Sequence, residues 1–383
     1  MNRTVTLSAI FLLSSLGGVS RSAPLNPLDF ASLGSLPTGG FTIDTDALTF
    51  GGAPGGVLFA QGGGAPDIAV FSFDGGGTLA AGNAITVAGS NPLALLFRGS
   101  VTLAGSIDVS GSNGVDAVQQ AVTGLGGSGV AGGGRGGHGG PFSSNQDGVG
   151  PGHGVVGSNS ASVSGVGSGS GAGFGTAGGD GGVGVTIRAG GLPYGDPLSG
   201  QLFAGSGGGG GGGQGVMRYG GGGGAGGGAL EIGALATMEF SGATILANGG
   251  NGSLGFADGG GGSGGAILLH ARSLSLDAAT RIEANGGDGG SGMGLGVGAA
   301  GCGGAGRVEI VHNPGGGLVN LGAIEVNAGA FDGDCNDSEP VVTVSPNVGV
   351  PEPAGSALAM LATLAAASGR WERGLSRNDY PED

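Results

Sequence analysis

The side chains able to do chemistry are few and scattered. Histidines stand at His138, His153, His270 and His312. No His-x-x-x-His or Cys/His spacing links them, so a tetrahedral zinc site has no ligand set. His270 and His312 each follow an apolar, strand-like run and are expected to be exposed strand-end residues. Glu231, Glu283, Glu309 and Glu325 alternate with apolar neighbours, as in Leu230-Glu231-Ile232, which puts them on outward strand positions. Glycosidases need two carboxylates at a set separation, and lyases need a base beside a cation. These four glutamates are therefore the candidates for a polysaccharide-cleaving site, weighed against the plainer reading of a solvated face. Serine is abundant, but no Gly-x-Ser-x-Gly elbow stands in a strand-to-helix setting with a base. The glycine runs are not phosphate loops, because the chain contains no lysine. No cofactor is expected.

Two further groups remain. The acidic stretch Asp332, Asp334, Asn336, Asp337 and Glu339 alternates like the first half of a calcium loop. Its sixth position is Asp337 instead of glycine and its twelfth is Thr343, so the EF-hand pattern fails. A solvated acidic turn is the plainer reading, with calcium as the alternative. Cys302 and Cys335 are the only cysteines. In an exported chain such a pair reads as a disulfide, closing a loop of about thirty residues and contributing on the order of 3 kcal/mol.

The elements that must position these groups form a repeat. Leu93–Phe97, Val101–Leu103 and Ile107–Gly111 are matched by Leu230–Ile232, Met238–Phe240 and Ile245–Gly249. Two more copies follow: Ile267–Leu269, Leu274–Leu276 and Ile282–Gly286, then Val308–Ile310, Leu318–Leu321 and Ile324–Ala328. Each unit reads as three short strands joined by tight turns. The apolar/polar alternation gives each strand one buried face, and three short strands cannot bury it alone. Stacking the units would align Ile107, Ile245, Ile282 and Ile324 in an internal ladder. The expected fold class is therefore all-β, a β-solenoid of the right-handed parallel β-helix type with long glycine-rich loops; an antiparallel sandwich is the alternative. Ser110, Asn248, Asn285 and Asn327 close the third strands, where asparagine can stack at a corner and exchange side-chain hydrogen bonds.

Composition limits the rest. Glycine supplies 103 of 383 residues, far above its usual share of about 7%, yet without a strict Gly-X-Y period, which excludes collagen. The net charge is −15, with twelve arginines and no lysine. Nucleic acid and anionic membrane surfaces are therefore poor partners. Glycine-rich excursions leave after the third strand and return at the first, the longest at about 111–228. Glycine loses maximal backbone entropy on ordering, so a flexible or loosely packed arm is expected, with packed polyglycine helices as the sharper alternative. The segment 23–92 lacks the glycine runs and reads as a cap with the first irregular strands. The repeat body spans 93–338, followed by a linker at 339–349.

The ends give an address. Arg3 precedes an apolar run from Val5 to Leu16 and then small residues, the layout of a signal peptide over 1–22. Cleavage after Ser20 or after Ser22 fits equally well. At the other end Val350-Pro351-Glu352-Pro353 is followed by an apolar, helix-prone run from Ala354 to Ser368 and by Arg370, Trp371 and Arg373. That run is shorter than the roughly 20 residues that span a bilayer, which suits transient insertion. The segment 350–377 closely resembles the PEP-CTERM sorting signal of Gram-negative bacteria, leaving a short tail at 378–383. The resemblance implies processing by an exosortase, a membrane transpeptidase-like enzyme, passage through the inner membrane, and association with exopolysaccharide. It covers about 25 residues, and Glu372 and the tail depart from the family pattern. The expectation is an exported structural or adhesive protein of the cell surface, extracellular matrix or biofilm, with a carbohydrate-active enzyme as the alternative.

Overall fold

From Ile68 onward the strands of this chain pair with their counterparts in the neighbouring repeat, not with their sequence neighbours. The structure, a computed structural model, describes residues 24–118, 121–141, 144–162, 165–182, 187–196, 200–215, 217–291, 299–330 and 341–346. A 3-10 turn at Pro27–Asp29 is its only helical element among the described residues. The first strands are β1 (Phe41–Asp44), β2 (Thr49–Phe50), β3 (Ala53–Pro54) and β4 (Val57–Phe59). Five repeat units follow. They are β5 (Ile68–Phe73), β6 (Gly77–Leu79) and β7 (Ala84–Ala88); β8 (Leu93–Phe97), β9 (Val101–Leu103) and β10 (Ser106–Asp108); β11 (Ala229–Phe240) and β12 (Thr244–Leu246); β13 (Ala266–Leu276) and β14 (Arg281–Glu283); and β15 (Arg307–His312), β16 (Leu318–Asn320) and β17 (Ala323–Glu325), with β18 (Val341–Pro346) last.

Two large sheets result, one of eight strands ending in β17-β14-β12-β10-β7-β1 and one of ten built on β18-β15-β13-β11-β8-β5. All pairings between successive units are parallel. Ile107 lies opposite Ile245, Ile245 opposite Ile282, and Ile282 opposite Ile324, so the ladder expected from the repeat is present. Ile85 extends it by one unit. In two units the first and second strands run together as β11 and β13, and β11 absorbs the corner with a register shift between Ala234 and Thr237. Apolar side chains fill the space between the sheets, with Phe73 stacked on Phe97 at 5.8 Å and Phe71, Phe97 and Phe240 fully or almost fully buried. Each such side chain contributes roughly 1.5–3 kcal/mol through burial. The sheets end at the N-terminal side in antiparallel pairings, β1–β2–β3 and β4–β5. Pro54, lacking an N–H, sits on the outermost strand, where it discourages further pairing.

The glycine-rich excursions are packed, which corrects the expected flexible arm and favours the polyglycine alternative. Within 205–212 the backbone donors turn through three directions. Gly205, Gly208 and Gly211 donate to Gly227, Gly224 and Gly221 at 2.8–2.9 Å; Gly207 and Gly210 donate to Val149 and Gln146; Gly209 and Gly212 donate to Ser170 and Gly167. A rotation of three residues per turn with every bond made to another segment is the geometry of an extended threefold helix, which has no internal hydrogen bonds. A Cβ at Gly208 would collide with the carbonyl of Gly260. The segments approach so closely that only glycine fits, and paired amides replace the apolar surface that the sequence lacks.

Side chains survive on the rim at the same threefold spacing. Asn248 N–H donates to Ser110 Oγ at 3.0 Å, Asn285 N–H to Asn248 Oδ1 and Asn327 N–H to Asn285 Oδ1, both at 2.8 Å. Three residues on, Asn251 N–H donates to Asn113 Oδ1 and Asp288 N–H to Asn251 Oδ1 at 2.8 and 2.9 Å. The corner residues thus bond from unit to unit, through side-chain oxygen to backbone N–H.

Candidate functional site

The four glutamates do not meet. Glu231 and Glu309 lie on β11 and β15 of one sheet, aligned across Leu268 of β13. Glu283 and Glu325 lie side by side on β14 and β17 of the other. Arg281 bridges that second pair, contacting Glu283 and approaching Glu325 at 3.8 Å, while Asn248 Nδ2 donates to Glu283 at 2.8 Å. The common outward face expected of them is therefore two faces.

Nor is the first pair solvated. The outer face of the β11–β13–β15 sheet is covered by a second apolar cluster containing Leu25, Leu202, Ala204, Phe174, Ala94 and Leu96, which draws on the N-terminal segment and the glycine block. Glu231 and His270 are both fully buried beneath it. His270 Nε2 lies 2.9 Å from Glu231 Oε1, which also accepts the Leu25 N–H at 2.6 Å. Gly233, opposite His270, makes this contact geometrically possible, since a Cβ there would overlap the imidazole. The expectation of an exposed strand-end His270 is thus overturned: it lies within β13, and its cover comes from residues distant in sequence. His312, at the end of β15, is half-buried. A buried carboxylate is tolerated when paired and hydrogen-bonded; here Glu231 Oε2 and His270 Nδ1 have no partner among the described residues.

Beside this pair a small cleft of about 50 Å3 opens, lined by Pro24, Gln201, Phe203, Leu268, Arg307 and Glu309 among others. Arg307 is held over the Phe174 ring at 4.6 Å and donates from one terminal nitrogen to the carbonyls of Tyr194 and Phe174 at 2.8 and 3.3 Å. Burial lowers its pKa from the ordinary guanidinium value, partly countered by Tyr194 and Asp196. The Tyr194 hydroxyl donates to the Ala204 carbonyl and accepts from Ser206 Oγ at 3.0 Å. Burial pushes its pKa up to about 12, so it serves as a neutral hydrogen-bonding group. The cleft thus combines a guanidinium, one carboxylate, an amide and an aromatic edge. Such a set can hold a polar or charged group; among the described residues it offers no nucleophile–base pair.

The remaining candidates are placed as follows. His138 lies in the glycine block, where its Nδ1 accepts from Gly126 N–H at 2.8 Å and its Nε2 lies 2.9 Å from Arg135. Burial first, and Arg135 second, lower its pKa. His153 Nδ1 contacts the Gly150 carbonyl at 2.9 Å. Cys302 is buried and disulfide-bonded; Cys335 lies outside the described residues, as do the acidic stretch 332–339, the sorting motif Val350, Pro351, Glu352, Pro353, Arg370 and Arg373, and the helices expected at the two ends. Among the described residues no group of three metal-ligating side chains gathers, and no helix is long and apolar enough to cross a membrane.

Sequence reasoning missed the Glu231–His270 contact and the Arg307 cleft. The available signal was Gly233 opposite His270, a glycine inside an otherwise apolar strand, which marks close approach by another group. No family model, curated protein or solved structure matches the chain.

Proposed function

We propose that this chain is an exported structural or adhesive protein of the cell surface or extracellular matrix. Its body is read as a right-handed parallel β-helix, a β-solenoid, carrying a packed polyglycine block on one side. A PEP-CTERM-type tail, 350–377, would direct it through the inner membrane to an exosortase-type enzyme, and exopolysaccharide of a biofilm is the favoured partner.

The observation that supports this reading most is the glycine block. Between β10 and β11 the described glycine segments pack backbone against backbone, their amides bonded to neighbouring segments, with few buried side chains such as Val166, Phe174 and Leu202. Such a body suits spacing and presentation. The enzyme alternative drew on four carboxylates gathered on one face; they are divided two and two between the sheets.

The test is intact mass with terminal peptide mapping of the protein recovered from the cell-free matrix of the producing bacterium. The expected product lacks the signal segment and ends near Pro353. A full-length chain confined to cell membranes or the cytoplasm would overturn the reading.

A further inference from the structure

Asparagine is followed by glycine four times in the chain, at Asn113, Asn248, Asn251 and Asn285, and every instance lies in the rim ladder. Asn–Gly is the dipeptide most prone to cyclise, because glycine's missing Cβ lets its amide nitrogen approach the asparagine side chain. The nitrogen gives up its proton and attacks Cγ; an N–C bond forms, the Cγ–Nδ2 bond breaks and ammonia leaves. Water then opens the resulting succinimide at either carbonyl, giving aspartate or isoaspartate. In the stack both reacting groups are occupied. Each of the four asparagines accepts at Oδ1 from a backbone N–H of the next unit, at 2.8–2.9 Å. The glycine N–H that follows donates to the carbonyl of that same partner residue: Gly114 to Asn251, Gly249 to Asn285, Gly252 to Asp288 and Gly286 to Asn327, at 2.7–2.8 Å. Ring closure must therefore break two hydrogen bonds at once. Asn327, in the last unit, is followed by Ala328 instead of glycine.

We propose that these four asparagines are modification sites that stacking holds shut, each guarded by the unit after it. Both guard bonds come from the backbone of the guarding residue, so protection depends on the stack and not on the neighbouring side chain. Once a unit parts from its successor, nucleophile and carbonyl are released together. The change is one-way. Isoaspartate adds a carbon to the main chain and breaks the period of three on which the glycine segments pack. Aspartate is also disfavoured at position 248, where Asn248 Nδ2 donates to the Glu283 carboxylate at 2.8 Å: the product sets two carboxylates against each other. A chain that stays unstacked thus loses its ability to stack, while a stacked one keeps its amides. The guards are unequal. β17, which leads into Asn327, has no fully buried residue, whereas Ile245 of β12 and Ile282 of β14 are fully buried. Val319 and Leu321 beside β17 are 54% and 68% exposed. Fewer buried apolar contacts mean easier opening, so Asn285, guarded by Asn327, is the weakest site and the other three, guarded by inner units, are better held.

The test ages the full chain at mildly alkaline pH, folded and in guanidinium chloride, and follows each site by peptide mapping with mass spectrometry; enzymatic methylation reports isoaspartate. Unfolded, all four sites should convert, with Asn327 lagging. Folded, Asn113, Asn248 and Asn251 are expected to convert at least about hundredfold more slowly than unfolded, tracking an open population of about 1% or less. Asn285 should be the fastest of the four, by at least about threefold. Ile324→Ala, which weakens the last unit, should speed Asn285 about tenfold and leave Asn113 within about twofold of wild type. Asn285→Ala should leave Asn248 protected, because both guards on Asn248 are backbone groups of residue 285. Folded conversion at the unfolded rate would overturn the proposal. Equal acceleration of all four sites in Ile324→Ala would also overturn it, since protection would then follow global folding and not the neighbouring unit. If Ile324→Ala does not fold, the wild-type ranking decides, and equal folded rates at the four sites would refute guarding by successive units.

Discussion

The strands and the glycine block stack in one register but are held by opposite means. Between the sheets, Ile107, Ile245, Ile282 and Ile324 align and large apolar side chains exclude water. In the block, buried side chains such as Phe174 and Leu202 are few, and backbone amides bond to several neighbouring segments in turn. One region requires bulk at its inward positions and the other forbids it at its close-packed glycines. Glycine therefore does not by itself mean disorder: where every amide finds a partner, close approach of backbones offsets the entropy of ordering.

The sharpest break of this comparison is a pair of substitutions of opposite kind. Ile245→Ala should cost about 2–5 kcal/mol, since it opens a cavity in a fully buried row. Gly208→Ala, a gain of one methyl group, should cost about 1–3 kcal/mol through overpacking against Gly260. Both are read by denaturant unfolding. A harmless Gly208→Ala beside a damaging Ile245→Ala would mean that the block is loosely packed.

The rim sharpens the comparison at lower energy. Asn285→Ala removes the acceptor for the Asn327 N–H and should cost about 0.5–1.5 kcal/mol. Asn285→Asp keeps that acceptor and should cost less, which thermal melting can resolve.

Two titrations probe the borders of the strand region. Tyr194 is expected to form phenolate only near pH 12, because burial favours its neutral form. Its unfolded counterpart ionises near 10, so stability is lost as pH rises from about 10 towards 12. Ultraviolet titration of wild type against Tyr194→Phe isolates it. Asp277, in the turn between β13 and β14, has its pKa lowered by hydrogen bonds from Gly242 N–H and Thr280 Oγ1. Its contribution is present above the unfolded carboxylate pKa and is lost as pH falls through the lower folded value. The acid limb of unfolding should therefore flatten slightly in Asp277→Asn.

The legible parts of the fold were those that repeat along the sequence. The isoleucine ladder and the corner asparagines could be read because each copy shows the same residue at the same offset. The first unit, Ile68–Ala88, has the same register but lacks a glycine excursion, so it did not look like a copy. The packing of the block was hidden because glycine fills inner and outer positions alike. Only the rim carries the period of three, at Ser110, Asn113 and Asp116 and again at Asn248, Asn251 and Leu254. At the candidate site, alternation correctly turned Glu231 away from the space between the sheets but could not reveal its cover. Leu25 and Leu202, which bury that face, are distant in sequence and carry no motif.

Amide hydrogen exchange across 205–228, compared with β11 and β13, tests the central claim most directly. The account predicts protection of the glycine segments approaching that of the strands, since the amides of 205–213 and 220–228 are paired as those of the strands are. Exchange of Gly207–Gly213 at the rate of an unstructured peptide, with β11 and β13 protected, would contradict it.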